Sequence, residues 1–128
     1  LIKLKSTKMN IATPYFRSMH SIVMDRIDGI RLIEMKNLDN HRQIFYKVFE
    51  QIRIAYKENI INSDLSEYNI LLDGNNDVWI IDWPQAVTLD HPNAEFLIKR
   101  DLRNIIRYFA RKYDLNLDEN SCYDGLLK

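Results

Sequence analysis

Asp64 and Asn69 share one short loop, and Asp82 ends an apolar run further along the chain. Two carboxylates and an amide offer hard oxygens of the kind Mg²⁺ prefers. That ion keeps several of its waters and needs only one or two protein side chains. Phosphoryl transfer asks for a metal to neutralise phosphate charge and for an acceptor held in line. In such chemistry Asn69 and Asp82 are the candidate metal ligands. Asp64 is then the carboxylate left to accept or orient a hydroxyl proton. Turns also favour Asp and Asn, so the spacing of Asp64 and Asn69 alone does not decide the matter. Asp82 adds weight, because the residues before it read as a buried strand. A carboxylate at the end of such a strand demands compensation, such as metal.

The elements that must position these residues are legible in the pattern. Ile70-Leu71-Leu72 and Val78-Trp79-Ile80-Ile81 flank Asp73-Gly74-Asn75-Asn76-Asp77, a β-hairpin signal. A hairpin brings Asn69, just before its first strand, near Asp82, just after its second. Asp39 is the expected N-cap of a helix running to about Lys57, with an apolar stripe of Phe45, Val48, Phe49, Ile52, Ala55 and Tyr56. A second helix is expected over about Asn93 to Tyr113, striped by Ile98, Leu102, Ile105, Ile106 and Phe109. A short tail helix begins near Leu117. Upstream, Ser21 to Met24 reads as a strand, Asp28-Gly29 as a turn, and Ile30 to Lys36 as a short helix. The sequence shows no partner for that strand, which points to a missing sheet. The fold class is therefore α+β, mainly helical.

The chain has 128 residues, enough for one domain or one lobe of a larger one. Its net charge of +0 forces neither a nucleic-acid nor a membrane partner. No apolar run approaches the ~20 residues of a membrane span, so no membrane partner is expected. The single cysteine, Cys122, excludes an internal disulfide and agrees with a reducing, cytoplasmic setting. The chain starts at Leu1 rather than Met, which reads as a fragment boundary.

The wording of these stretches resembles a known family. Asp64 to Asn69, then a hairpin, then Asp82 looks like the catalytic loop and metal-binding Asp of protein kinases. Ser63-Asp64-Leu65-Ser66-Glu67-Tyr68-Asn69 and Ile81-Asp82-Trp83-Pro84-Gln85 resemble the catalytic and metal-binding loops of the RIO family of atypical kinases. His91-Pro92-Asn93-Ala94-Glu95 and Lys99-Arg100-Asp101 resemble its next helix. Val23 to Gly29 resembles its hinge, with Met24, Asp25 and Ile27 as the backbone adenine contacts. Pro84-Gln85 favours the second RIO subfamily.

The resemblance implies a kinase-like C-terminal lobe with a short hairpin, whose N-terminal lobe is largely missing. Residues 1–29 would be the end of that lobe and the hinge, and residues 30–128 the C-terminal lobe. The implied cofactors are ATP and Mg²⁺ or Mn²⁺. The implied function is Ser/Thr kinase or ATPase activity in maturation of the small ribosomal subunit, acting on a protein substrate or a subunit precursor. Asp82 is also implied as a candidate phosphoryl acceptor, and Asp101 as a brace of the catalytic-loop backbone. Ser66 and Glu67 either position phosphate or metal or shape the loop.

Several features depart from ordinary kinases. Ser66 stands where they carry Lys or Arg, Trp83-Pro84 replaces Phe-Gly, and the stretch from Asp82 to Asn93 is too short for a conventional activation segment. Pro84 also restrains Trp83, so the segment should flip less freely. Asn62 replaces the usual His of the RIO family as a hydrogen-bonding brace. Gly29, Gly74 and Gly125 lie too far apart to form a phosphate loop, so the chain alone is expected to be inactive. Two other readings stay open. One is a small-molecule phosphotransferase of the aminoglycoside or choline kinase type; the other is a non-catalytic, kinase-like scaffold in ribosome assembly. The basic run Lys99, Arg100, Arg103, Arg107, Arg111 and Lys112 reads as a solvated helix face or a contact for ribosomal RNA.

Overall fold

The computed structural model describes residues 14–15, 23–24, 29–36 and 38–128. Strands β1 (Pro14–Tyr15) and β2 (Val23–Met24) pair antiparallel. Of the strand expected at Ser21 to Met24, the described residues Val23–Met24 have a partner within the chain, so the argument for a missing sheet does not stand. Strand β3 (Gly29–Arg31) leads into a single 3-10 turn, Leu32–Glu34. Helix α1 covers His41–Lys57 and is followed by β4 (Ile60–Ile61). Strands β5 (Ile70–Asp73) and β6 (Val78–Ile80) form the hairpin, and β7 (Val87–Thr88) follows. Helices α2 (Ala94–Tyr113) and α3 (Glu119–Leu127) complete the fold. The α+β, mainly helical class holds, and no helix among the described residues is long and apolar enough to cross a membrane.

Gly29 is not in a turn, and of Ile30 to Lys36 only Leu32–Glu34 is helical, as a single 3-10 turn. Gly29–Arg31 takes the free edge of β5 instead, with Gly29 opposite Asp73 and Arg31 opposite Leu71. A Cβ on Gly29 would sit 2.7 Å from the Leu72 carbonyl oxygen, so the close approach of the two backbones needs glycine there. The resulting sheet runs β3-β5-β6. β4 and β7 form a separate antiparallel pair, Ile60 opposite Thr88 and Ile61 opposite Val87, inside what the sequence presents only as a loop.

Both long helices bury the expected stripes, with small changes. On α1, Phe45, Val48, Ile52 and Ala55 are buried, Phe49 and Tyr56 only partly, and Ile44 joins the core. The helix starts one residue later than expected, with Asn40 rather than Asp39 at its N-cap. On α2 every stripe residue is buried, and Phe109 meets Phe45 edge-on with ring centroids 5.4 Å apart. Ile70, Leu72, Val78 and Ile80 supply the sheet's contribution to the same core. Each fully buried aliphatic side chain contributes about 1.5–3 kcal/mol, so this core fixes where the hairpin's ends lie. Asp114, at φ 55°, ends α2, and Asp118 caps α3 by accepting from the Ser121 amide.

Candidate active site

The hairpin sets the geometry of the site. Ile70 pairs with Ile80, and the Ile81 N–H donates to the Asn69 carbonyl at 2.9 Å, extending the ladder one step past the strands. Asn69 thus lies opposite Ile81, with Asp82 next in the chain. At the far end, the Asp73 carboxylate accepts from the amides of Asn75 and Asp77 and from Trp79 Nε1 at 2.9 Å, which fixes the turn. The Trp79 hydrogen bond holds the Asp73 carboxyl below the usual carboxylate range.

Asn69 is buried and closes the loop on itself. Its Nδ2 donates to the Asp64 carbonyl at 2.8 Å, and its Oδ1 accepts from the Ser66 amide at 2.8 Å. An amide oxygen has two lone pairs, so Oδ1 keeps one for a cation. The Asp64 side chain is exposed, as a proton acceptor for an incoming hydroxyl must be. Asp82 is exposed too, at φ 63°. The expectation of a carboxylate forced to find compensation inside a buried strand is corrected here. β6 ends at Ile80, and the backbone turns left-handed at Asp82, aiming the carboxylate outward. The Asp82 carboxylate and the Asn69 amide oxygen are donors of the kind a hard, oxygen-seeking dication takes.

Asn62 is 5% exposed and donates from Nδ2 to the Asp82 carbonyl at 3.1 Å, while its Oδ1 accepts from the Asp64 amide at 3.1 Å. Asp101 is 1% exposed, and its two oxygens accept from the amides of Ser63 at 2.8 Å and Leu65 at 3.1 Å. Burial pushes its pKa up to about 6; the two amides and the Arg100 charge oppose the rise, and the Asp64 charge adds to it. Ser66 and Glu67 make loop contacts. Ser66 Oγ accepts from the Tyr68 amide, and the Glu67 carbonyl accepts from Ile33 N–H at 3.2 Å. Met24 lies in β2, whereas Asp25 and Ile27 lie outside the described residues.

Sequence reasoning missed Arg100 and Asn104 as loop contacts. Arg100 Nη2 donates to the Ser63 carbonyl, and Asn104 Nδ2 to the Leu65 carbonyl at 3.1 Å. Residues 100, 101 and 104 share one face of α2, beside its apolar stripe, and nothing local to them marks a contact with a distant loop. The basic run is largely engaged within the protein. Lys99 pairs with Glu95, Arg103 with Glu119, and Lys112 donates to the Met35 carbonyl and to the Tyr108 hydroxyl. Trp83 is buried, and its Nε1 donates to the Ile80 carbonyl at 2.8 Å, a second restraint beside Pro84 on the segment after Asp82.

The chain is similar to known proteins. The profile of the RIO domain matches residues 1–122. The chain is 40% identical over 129 residues to the RIO-type serine/threonine-protein kinase Rio2 of Methanocaldococcus jannaschii, covering 94% of this chain and 48% of that protein. It is 30% identical over 118 residues to the human serine/threonine-protein kinase RIO1, covering 87% of this chain and 21% of that one. Among solved structures it is similar to the Rio2 kinase from Chaetomium thermophilum in an ADP/Mg²⁺-phosphoaspartate complex. The TM-score is 0.81 at 25% identity, covering 96% of this chain and 41% of that one. The chain spans about half the length of the Methanocaldococcus relative and less of the others. With the domain profile matched over nearly its whole length, the chain belongs to the RIO domain family.

Proposed function

We propose that this chain is the metal- and phosphate-handling half of an ATP-dependent serine/threonine phosphotransferase or ATPase of RIO type. The observation that supports the reading is the hairpin register, which sets Asn69 opposite Ile81, the residue before the exposed Asp82. The same loop presents Asp64. Support for the nucleotide and metal comes from a relative of the same fold described as an ADP/Mg²⁺ complex.

In this reading Asn69 Oδ1 and the Asp82 carboxylate hold Mg²⁺ or Mn²⁺, which when bound would neutralise charge on the phosphates of ATP. Asp64 accepts or orients the hydroxyl proton of the acceptor, a protein serine or threonine, or water in an ATPase cycle. Asp82 is the candidate if a carboxylate is phosphorylated instead. Asn62 and Asp101 hold the loop backbones so that neither carboxylate needs to reorganise during transfer. Met24, Asp25 and Ile27 would meet the adenine through their backbone. Residues 1–29 belong to the hinge and the end of an N-terminal lobe, and residues 30–128 to the C-terminal lobe. The physiological setting is maturation of the small ribosomal subunit in the cytoplasm. Contact with ribosomal RNA through residues 99–112 falls chiefly to the exposed Arg107 and Arg111.

The test is Mg²⁺-dependent ATP turnover by the full-length protein beside its Asp82→Ala variant. Loss of turnover to background is expected, and unchanged turnover in the variant would reject the assignment.

A further inference from the structure

Gln85 sits three residues past Asp82, and its side chain turns back toward the site. Nε2 lies 2.7 Å from the Asp82 carbonyl oxygen and 3.1 Å from Asn62 Oδ1. The main-chain carbonyl of Gln85 accepts from Ser63 Oγ at 2.6 Å. We propose that Gln85 is a positioning residue that, with Asn62 and Ser63, locks the Asp82 loop onto the Asp64 loop and thereby aims the Asp82 carboxylate. This rests on the phosphotransferase reading of those two aspartates.

Three hydrogen bonds cross between the loops: Asn62 to Asp82, Gln85 to Asn62, and Ser63 to Gln85. The donor and acceptor roles are fixed by the network itself. The Asp64 N–H points at Asn62 Oδ1, so that atom is the amide oxygen and the Asn62 nitrogen faces the Asp82 carbonyl. Gln85 then meets two acceptors with one NH₂ group, which has a hydrogen for each. Glutamate at this position would set a carboxylate against two oxygens. Each of the two loops also carries a left-handed residue that is not glycine, Ser63 at φ 70° and Asp82 at φ 63°. Residues in such conformations persist when their surroundings over-determine them. The Asp82 carbonyl accepts from both Asn62 and Gln85, which fixes the peptide plane and hence the direction of its Cβ.

The experiment uses the full-length protein and Mn²⁺ as the probe, with binding in the presence of ADP read by electron paramagnetic resonance. Gln85→Glu and Asn62→Ala should each weaken Mn²⁺ binding roughly tenfold, about the factor one hydrogen bond supplies. The double variant should bind no more weakly than the worse single one, because both act through one clamp. Hydrogen exchange should quicken at the amides of residues 64–69 and stay unchanged along α2. Ser63→Gly removes the hydroxyl but accepts φ 70° without strain, so it should lose Mn²⁺ affinity while unfolding at the same or a higher temperature. A merely structural role would not separate those two readouts. Mn²⁺ affinity within twofold of wild type in Gln85→Glu would overturn the proposal, as would losses that add in the double variant. Failure of the wild type itself to bind Mn²⁺ with ADP would reject the phosphotransferase reading, and the proposal with it.

Discussion

Asp101 makes the stability of this fold depend on one proton. Its carboxyl is 1% exposed, and burial raises its pKa from 3.8 to about 6. The folded chain therefore holds this proton more tightly than the unfolded chain does. The stabilisation is fully present below about pH 4 and is lost as the pH rises through about 6. At about 1.4 kcal/mol per unit, the shift corresponds to about 3 kcal/mol. Asp101→Asn keeps the shape and removes the titration. The amide can serve only one of the Ser63 and Leu65 N–H groups, so the variant carries a fixed penalty of about 1–3 kcal/mol for the other. That penalty does not vary with pH. The wild-type stability minus the variant stability should therefore fall by about 3 kcal/mol between about pH 3 and about pH 7. Urea unfolding followed by circular dichroism at a series of pH values measures it. A difference constant to within about 1 kcal/mol would refute the reasoning. So would one that rises with pH, which would mean that the two amides outweigh desolvation and keep the carboxylate ionised throughout.

Two further outcomes are expected. Gly29→Ala should cost about 1–3 kcal/mol in thermal unfolding, because its Cβ would meet the Leu72 carbonyl oxygen at 2.7 Å, whereas Gly74→Ala, with nothing within 4 Å, should change stability by less than about 0.5 kcal/mol. Equal losses would contradict the β3–β5 pairing. Cys122 lines a cleft of about 260 Å³ between α1 and α3, and burial raises its thiol pKa with help from the Asp118 and Glu119 charges. A thiol-reactive disulfide at pH 8 should therefore label it more slowly in the folded protein than in urea, and equal rates would reject that environment.

The parts of the fold that could be read in advance were those governed by a period. The apolar stripes of α1 and α2 repeat with the helix, and the turn residues 73–77 sit between two apolar runs, so both helices and the hairpin were legible. What escaped was pairing between short segments. Gly29–Arg31 has no strand pattern of its own and becomes a strand because β5 offers it an edge. Ile60–Ile61 and Val87–Thr88 are two-residue strands that only their mutual contact defines. In the candidate site, Asp64, Asn69 and Asp82 were legible because their chemistry and spacing belong to one loop and one hairpin. The exposure of Asp82 was not, since a left-handed residue at a strand end leaves no mark in composition. Arg100 and Asn104 act through backbone carbonyls far away in sequence, and no local pattern announces such contacts.

The β3–β5 pairing also decides where the chain can be cut. A recombinant lobe begun at Asp39, just before α1, would keep every candidate catalytic side chain. It would nevertheless lose Leu32, which is fully buried, and strip the outer strand from β5. The bared edge would present unpaired N–H and C=O groups beside the hairpin that sets Asn69 against Ile81. Exposed edges of that kind invite pairing with other chains. Such a truncation should be soluble only at low concentration, and a lobe begun upstream of Gly29 is the shortest form worth expressing.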